Sequence, residues 1–123
     1  MKTYFKLLAL GLLTHAGIDV NAQTSKPSTF GKVILENENV KVYEYNSQPG
    51  KDVCGIGKHS HPEHLTVLLT EANITVTTPD GKTVTQKMPA GTSFWSAAET
   101  HVIVNSGNHP INCQIIEIKK KSN

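Results

Sequence analysis

The 123-residue chain is long enough for one domain and too short for two. It carries 12 Lys+Arg against 10 Asp+Glu, a formal charge of +2, and every basic residue among the twelve is lysine. Arginine is the usual bidentate reader of phosphate and carboxylate, so its absence argues against a nucleic-acid partner and a strongly anionic substrate.

The opening segment, MKTYFKLLALGLL, places Lys2 and Lys6 before an apolar run from Leu7 to Leu13. That is the layout of a secretory signal peptide, and the run is too short to span a bilayer. Val20 and Ala22 supply small residues at a cut before Gln23. The chain therefore divides into a signal peptide (1–22), a flexible leader (23–31), a β-domain (32–119) and a solvated C-terminal tail (120–123). The expected destination is the periplasm or the exterior, without a membrane anchor. Export would leave Cys54 and Cys113 where a disulfide can form, or as two separate buried thiols.

From Gly31 onward the patterning is β throughout. VILENENVKVYEYNS alternates Val40 and Val42 with Lys41, Tyr43 and Tyr45. LTVLLT reads as a buried strand. ANITVTTPDGKTVTQKM is a hairpin, with Pro79 and Asp80 favouring the turn and Gly81 free to take positive φ. TSFWS, HVIVNS and INCQIIEIK supply three further strands. No segment sustains an apolar period of about 3.6 residues with helix caps. Several short strands at regular spacing imply a sandwich or barrel.

KHSHPEHLTVLL carries the chemistry. Residues two apart on a strand share a face, so His59 and His61 point the same way and can hold one metal ion from one side. His64 has the wrong parity for that face. Pro62 cannot donate to a sheet ladder. A kink or bulge at Pro62–Glu63 would shift the face by one residue and bring His64 beside the other two. Thr66 and Leu68 then point inward with His64, and Leu65, Val67 and Leu69 outward. Further on, PAGTSFWSAAETHVIVNSG makes a turn at Pro89–Gly91 and places His101 and Asn105 on one strand face. Phe94 and Trp95 are adjacent and face opposite ways. Glu99, two residues before His101, is within reach of the barrel mouth but is read as exposed by default.

Together, GKHSHPEHLTVLL and MPAGTSFWSAAETHVIVNSG resemble the two motifs of the cupins. Gly57, His59 and His61 match the first motif, and His101 and Asn105 the second. The likeness extends from about Lys32 to Ile118 and is nearest to small single-domain cupins with an HSHPEH first motif. It implies an all-β jelly-roll barrel with a metal inside, and a homodimer as is frequent in the family. The family's glutamate ligand has no direct counterpart: its spacing falls on Leu65, or on His64 if one residue is deleted. A four-histidine site of His59, His61, His64 and His101 is expected, with Glu63 as the rival ligand. All-imidazole ligation suits a divalent Fe, Ni, Cu, Mn or Zn ion. Neutral ligands leave the ion its full charge for Lewis-acid work, whereas tetrahedral zinc would find its shell closed. Three functions are open. One is a metal-dependent dioxygenase, lyase or isomerase acting on a small molecule. Another is a non-catalytic metal- or ligand-binding, or sensing, domain. The third is a structural metal staple for a small exported barrel. No general acid or base stands out in the sequence.

Overall fold

A computed structural model describes residues 31–121. The expected signal peptide, nearly all of the leader and the last two residues of the tail lie outside the described residues. Every regular element among the described residues is a β-strand, and the strands pair antiparallel. They are β1 (Lys32–Glu36), β2 (Val40–Ser47), β3 (His59–His61), β4 (His64–Leu68), β5 (Ala72–Thr77), β6 (Thr83–Met88), β7 (Ser93–Ser96), β8 (Glu99–Asn105) and β9 (Ile111–Ile118). One sheet has the order β1-β2-β9-β4-β7 and the other β3-β8-β5-β6. This is a jelly-roll: two sheets face to face, with the core between them.

Alternation explains which residues fill that core. On β4, His64, Thr66 and Leu68 are buried while Leu65 and Val67 are half-buried outside, the parity expected from the sequence. On β9, Ile111, Cys113 and Ile115 point inward. On β2 the inward residues are Tyr45 and Ser47, so the tyrosine-bearing parity faces the core and Val40 and Val42 lie on the other face. Leu68, Ala72, Ile74 and Val53 complete the cluster, with Phe94 and Met88 packed against it. The β5–β6 hairpin pairs Thr77 with Thr83, and Gly81 takes a φ of 86° in its turn.

The outer face of the five-stranded sheet carries an apolar row that no single segment displays. The register places Leu35 beside Val42, Val42 beside Ile116, Ile116 beside Leu65, and Leu65 beside Trp95. The two ends of the row, Leu35 and Trp95, are exposed.

Two features position the site. Pro62–Glu63 is a corner and not a bulge within one strand. β3 before it pairs with β8 in one sheet, and β4 after it pairs with β7 and β9 in the other. Proline costs no ladder bond there. The second feature is the connection between β2 and β3, which runs back along β8. The Gly50 amide donates to the Asn105 carbonyl (2.7 Å), the Asn105 amide to the Lys51 carbonyl (2.9 Å) and the Val53 amide to the Ile103 carbonyl (3.0 Å). That pairing delivers Cys54 to the flank of His101. The Asn105 side chain is fully engaged, donating to the Ser47 and His109 carbonyls and accepting from the Gly107 amide, so its role is structural.

The disulfide allowed by the sequence is not formed: Cys54 and Cys113 are both buried free thiols. Cys113 sits on β9 opposite Tyr45 and Leu68, whereas Cys54 is turned by its loop toward the imidazoles of β3 and β8.

Candidate metal centre

The antiparallel register sets His59 directly opposite His101, and His61 follows two residues along the same face. Their rings meet edge to face, with centroids 4.7 Å apart for His59–His101, 4.9 Å for His59–His61 and 5.5 Å for His61–His101. Cys54 joins them, its Sγ 3.3 Å from His59 Nε2 and 3.7 Å from His101 Nε2. One donor atom from each of Cys54, His59, His61 and His101 lies within 4.8 Å of the others, so the group could hold a metal ion.

The tautomers are set from behind. His59 Nδ1–H donates to the Gly57 carbonyl (2.8 Å), His61 Nδ1–H to the Glu117 carboxylate (3.2 Å) and His64 Nδ1–H to the Pro62 carbonyl (2.7 Å). His101 Nδ1 lies 3.5 Å from the Glu99 carboxylate. A carbonyl or carboxylate can only accept, so the neutral rings of His59, His61 and His64 carry their proton on Nδ1 and keep a lone pair on Nε2. Such outer partners orient metal-binding imidazoles and raise their basicity.

His59 Nε2 and His101 Nε2 lie 3.1 Å apart, a contact whose donor depends on the His101 tautomer. His61 Nε2 is buried with no hydrogen-bond partner among the described residues. A shared proton is a poor remedy, because burial, followed by the neighbouring His59, His61 and His64 rings, pushes the His101 pKa down to about 4. Burial also lowers that of His61, against the pull of Glu117. Two nitrogens bound to one ion at about 2.0–2.1 Å stand roughly 2.8–3.4 Å apart for angles from square to tetrahedral. The observed separation falls in that interval, and the donor set fits a transition-metal ion. Burial holds the Cys54 thiol well above its ordinary range and pushes Cys113 up to about 12. Neither is a thiolate in the absence of a cation.

Of the residues singled out in the sequence, His59, His61 and His101 come together. His64 lies beside them, its ring 5.1 Å from that of His61, but its Nε2 faces Glu99 at 3.6 Å. Cys54 occupies the fourth place in the cluster. Glu63 points to the outside, where it accepts a hydrogen bond from Trp95 Nε1 at 3.1 Å. Two contributors, Cys54 and Glu117, lie outside the ligand set expected from sequence. The sequence offers Cys54 only as half of a disulfide or as a buried thiol. Glu99 is exposed, as expected, and also comes near His64 and His101. Glu117 had a readable signal, since an acidic residue shares the inward parity of Cys113 and Ile115.

The cluster separates two spaces. Inside is an apolar cavity of about 40 Å³ among Leu68, Ile74, Phe94 and Ile115, with Cys54 and His101 on its wall, large enough for a few waters. Outside is a cleft of about 290 Å³ between Tyr43, Tyr45 and Ile56, floored by Cys54, His59 and His61.

Solved structures share this fold. A cupin domain from Bordetella pertussis is similar at 28% identity and a TM-score of 0.67, the match covering 78% of this chain and 98% of that one. A double-stranded β-helix protein from Klebsiella pneumoniae matches at 18% identity and a TM-score of 0.56, over 79% of this chain and 89% of that one. The polyketide cyclase RemF from Streptomyces resistomycificus matches at 15% identity and a TM-score of 0.55, over 75% and 66% of the two chains. No protein-family model matches the sequence, and no curated protein does so either. The topology and these neighbours give the chain the cupin-type jelly-roll fold, similar to that of solved cupin domains.

Proposed function

We propose that this is an exported cupin that binds one divalent transition-metal ion through His59, His61 and His101 and presents it to a small, uncharged organic molecule in the outer cleft. The observation that carries the metal reading is the buried His61 Nε2, which has no hydrogen-bond partner among the described residues and lies in a cluster where His59 Nε2 and His101 Nε2 are 3.1 Å apart. A bound ion supplies Lewis acidity, polarising an oxygen of the ligand or acidifying a water. The chain's own residues do the rest. Tyr43, Tyr45 and Ile56 offer apolar walls, and the lack of arginine removes the usual clamp for an anion. Burial raises the Tyr45 pKa, so its hydroxyl keeps its proton and can only hydrogen-bond. Glu117 is the carboxylate that lines the outer cleft, whereas Glu99 lies near His64 and His101 on the interior side. These features support a dioxygenase, lyase or isomerase; the polyketide cyclase among the structural neighbours shows that the fold can serve ring-forming chemistry in another protein.

A second reading, a metal-holding or sensing domain without catalysis, is favoured by Cys54, which would complete four protein donors. Elemental analysis of the mature protein, purified without a histidine tag and reconstituted, tests both readings at their root. About one equivalent of metal is expected, and below about a tenth of an equivalent the metal reading fails. Turnover or O₂ consumption with candidate substrates then separates the enzyme from the binding module.

A further inference from the structure

We propose that Cys54 is a thiolate ligand of this ion, making a Cys-His₃ centre in which sulfur stands where the family resemblance calls for a carboxylate. The inference rests on the histidine site proposed above, specifies its fourth donor and the class of ion it takes, and for a tetrahedral ion favours the second, non-catalytic reading.

Three observations carry it. First, the distances fit. A sulfur at about 2.3 Å and a nitrogen at about 2.0–2.1 Å from one tetrahedral ion stand roughly 3.6 Å apart. Cys54 Sγ lies 3.3 Å from His59 Nε2 and 3.7 Å from His101 Nε2, on either side of that value. Second, His61 Nε2 is buried and unpartnered beside them, on a side chain 5% exposed whose other nitrogen is committed to Glu117. A donor in that state points to a missing acceptor of its lone pair. Third, the fold holds Cys54 against the imidazoles by main-chain pairing: the Val53 amide is bonded to Ile103, and the Gly57 amide to Asp52 Oδ2 at 3.0 Å. Gly55 is the residue that permits the approach, since a Cβ there would meet His59 Cγ at 2.6 Å.

The alternatives are weaker. His64 turns its Nε2 to Glu99, and Glu63 is tied to Trp95 on the outer surface. On binding, the thiol proton leaves to solvent and the sulfur lone pair forms the new bond, a step that the cation's charge makes favourable in a buried site. The centre then carries one unit less positive charge than an all-imidazole site. Thiolate and imidazole together select zinc, copper or nickel over manganese, magnesium and calcium.

Cobalt(II) is the probe. The mature protein and its Cys54→Ser and Cys113→Ser variants are titrated with cobalt(II) and followed by absorption. Thiolate ligation gives a near-ultraviolet sulfur-to-cobalt charge-transfer band that imidazole ligation lacks. The band is expected in the parent and in Cys113→Ser at one equivalent, and absent from Cys54→Ser, whose affinity falls at least about 10-fold. If Cys54→Ser does not fold, alkylation of the parent decides: zinc is expected to protect one of its two thiols, identified as Cys54 by peptide mapping. One equivalent of cobalt bound without the band, or Cys54 alkylated equally with and without zinc, overturns the thiolate and leaves the histidine site standing. Failure to bind either ion overturns both.

Discussion

Glu117 has a role that can be separated from folding. It accepts the Nδ1 proton of His61 and so aims Nε2 at the cluster. Glu117→Gln keeps the shape and can still accept a hydrogen bond, but it loses the charge that raises imidazole basicity. Metal affinity is expected to fall about 10- to 100-fold with unchanged circular dichroism, whereas Glu63→Gln, on the outer surface, leaves affinity within a factor of about two. Equal effects of the two variants in a competition titration would remove His61 from the ligand set. The metal-free protein has a defined pH signature as well. His101 titrates near 4 in the folded chain, below the unfolded value of about 6.5, so the unfolded chain binds more protons between those pH values. Its stabilising contribution is complete above about pH 6.5 and is lost as pH falls through about 4. Thermal melts of metal-free protein are expected to drop over that window, and a Tm that stays level or rises toward pH 4.5 would contradict the buried neutral imidazole. At this scale the sequence was partly legible. The shared face of His59 and His61 follows from strand parity alone. The place of Cys54 does not, because only the tertiary pairing of its loop with β8 brings it to residues five and forty-seven positions away.

The connection between β2 and β3 is the element on which the centre depends, and Gly55 is its tightest point. Gly55→Ala forces a methyl group into the His59 ring, so either the ring or the loop must move. At least a 10-fold loss of metal affinity is expected, with a lower Tm. Gly50→Ala is the control, since Gly50 has φ +78 and open space around its Cα. It should cost about 1–2 kcal/mol of backbone strain while leaving affinity unchanged. Matching metal titrations of the two variants test this; equal affinities would mean that the approach of Gly55 to His59 is unimportant. The strands themselves were readable from alternation: the β5–β6 hairpin, the inward set His64–Thr66–Leu68 on β4 and the opposite faces of Phe94 and Trp95 are all present. The event at Pro62 was legible as an interruption. That it is a passage between sheets was not, since parity says nothing about which strand becomes the next neighbour. The apolar row from Leu35 to Trp95 was hidden for the same reason, being assembled from five strands by register.

A barrel of this size has a thin core and a correspondingly small stability reserve. Four of its buried polar residues, His61, His64, His101 and Asn105, lie among or near apolar side chains, and a ligand that engages the imidazoles should stabilise the whole fold. Metal at 100 times its Kd adds about 2.7 kcal/mol to the folded state. For a domain near 100 residues that corresponds to a Tm rise on the order of 10 °C, reversed by a chelator. Differential scanning calorimetry with and without metal checks this, and superimposable melts would exclude a tight site. The most direct measurement is a crystal structure of the reconstituted protein with diffraction collected on both sides of the metal's absorption edge. One anomalous peak is expected between His59 Nε2 and His101 Nε2, about 2.0–2.1 Å from each imidazole nitrogen and about 2.3 Å from Cys54 Sγ. An ordered, metal-soaked crystal with no peak there, or with its peak on the outer surface beside Glu63, would contradict the assignment of the centre.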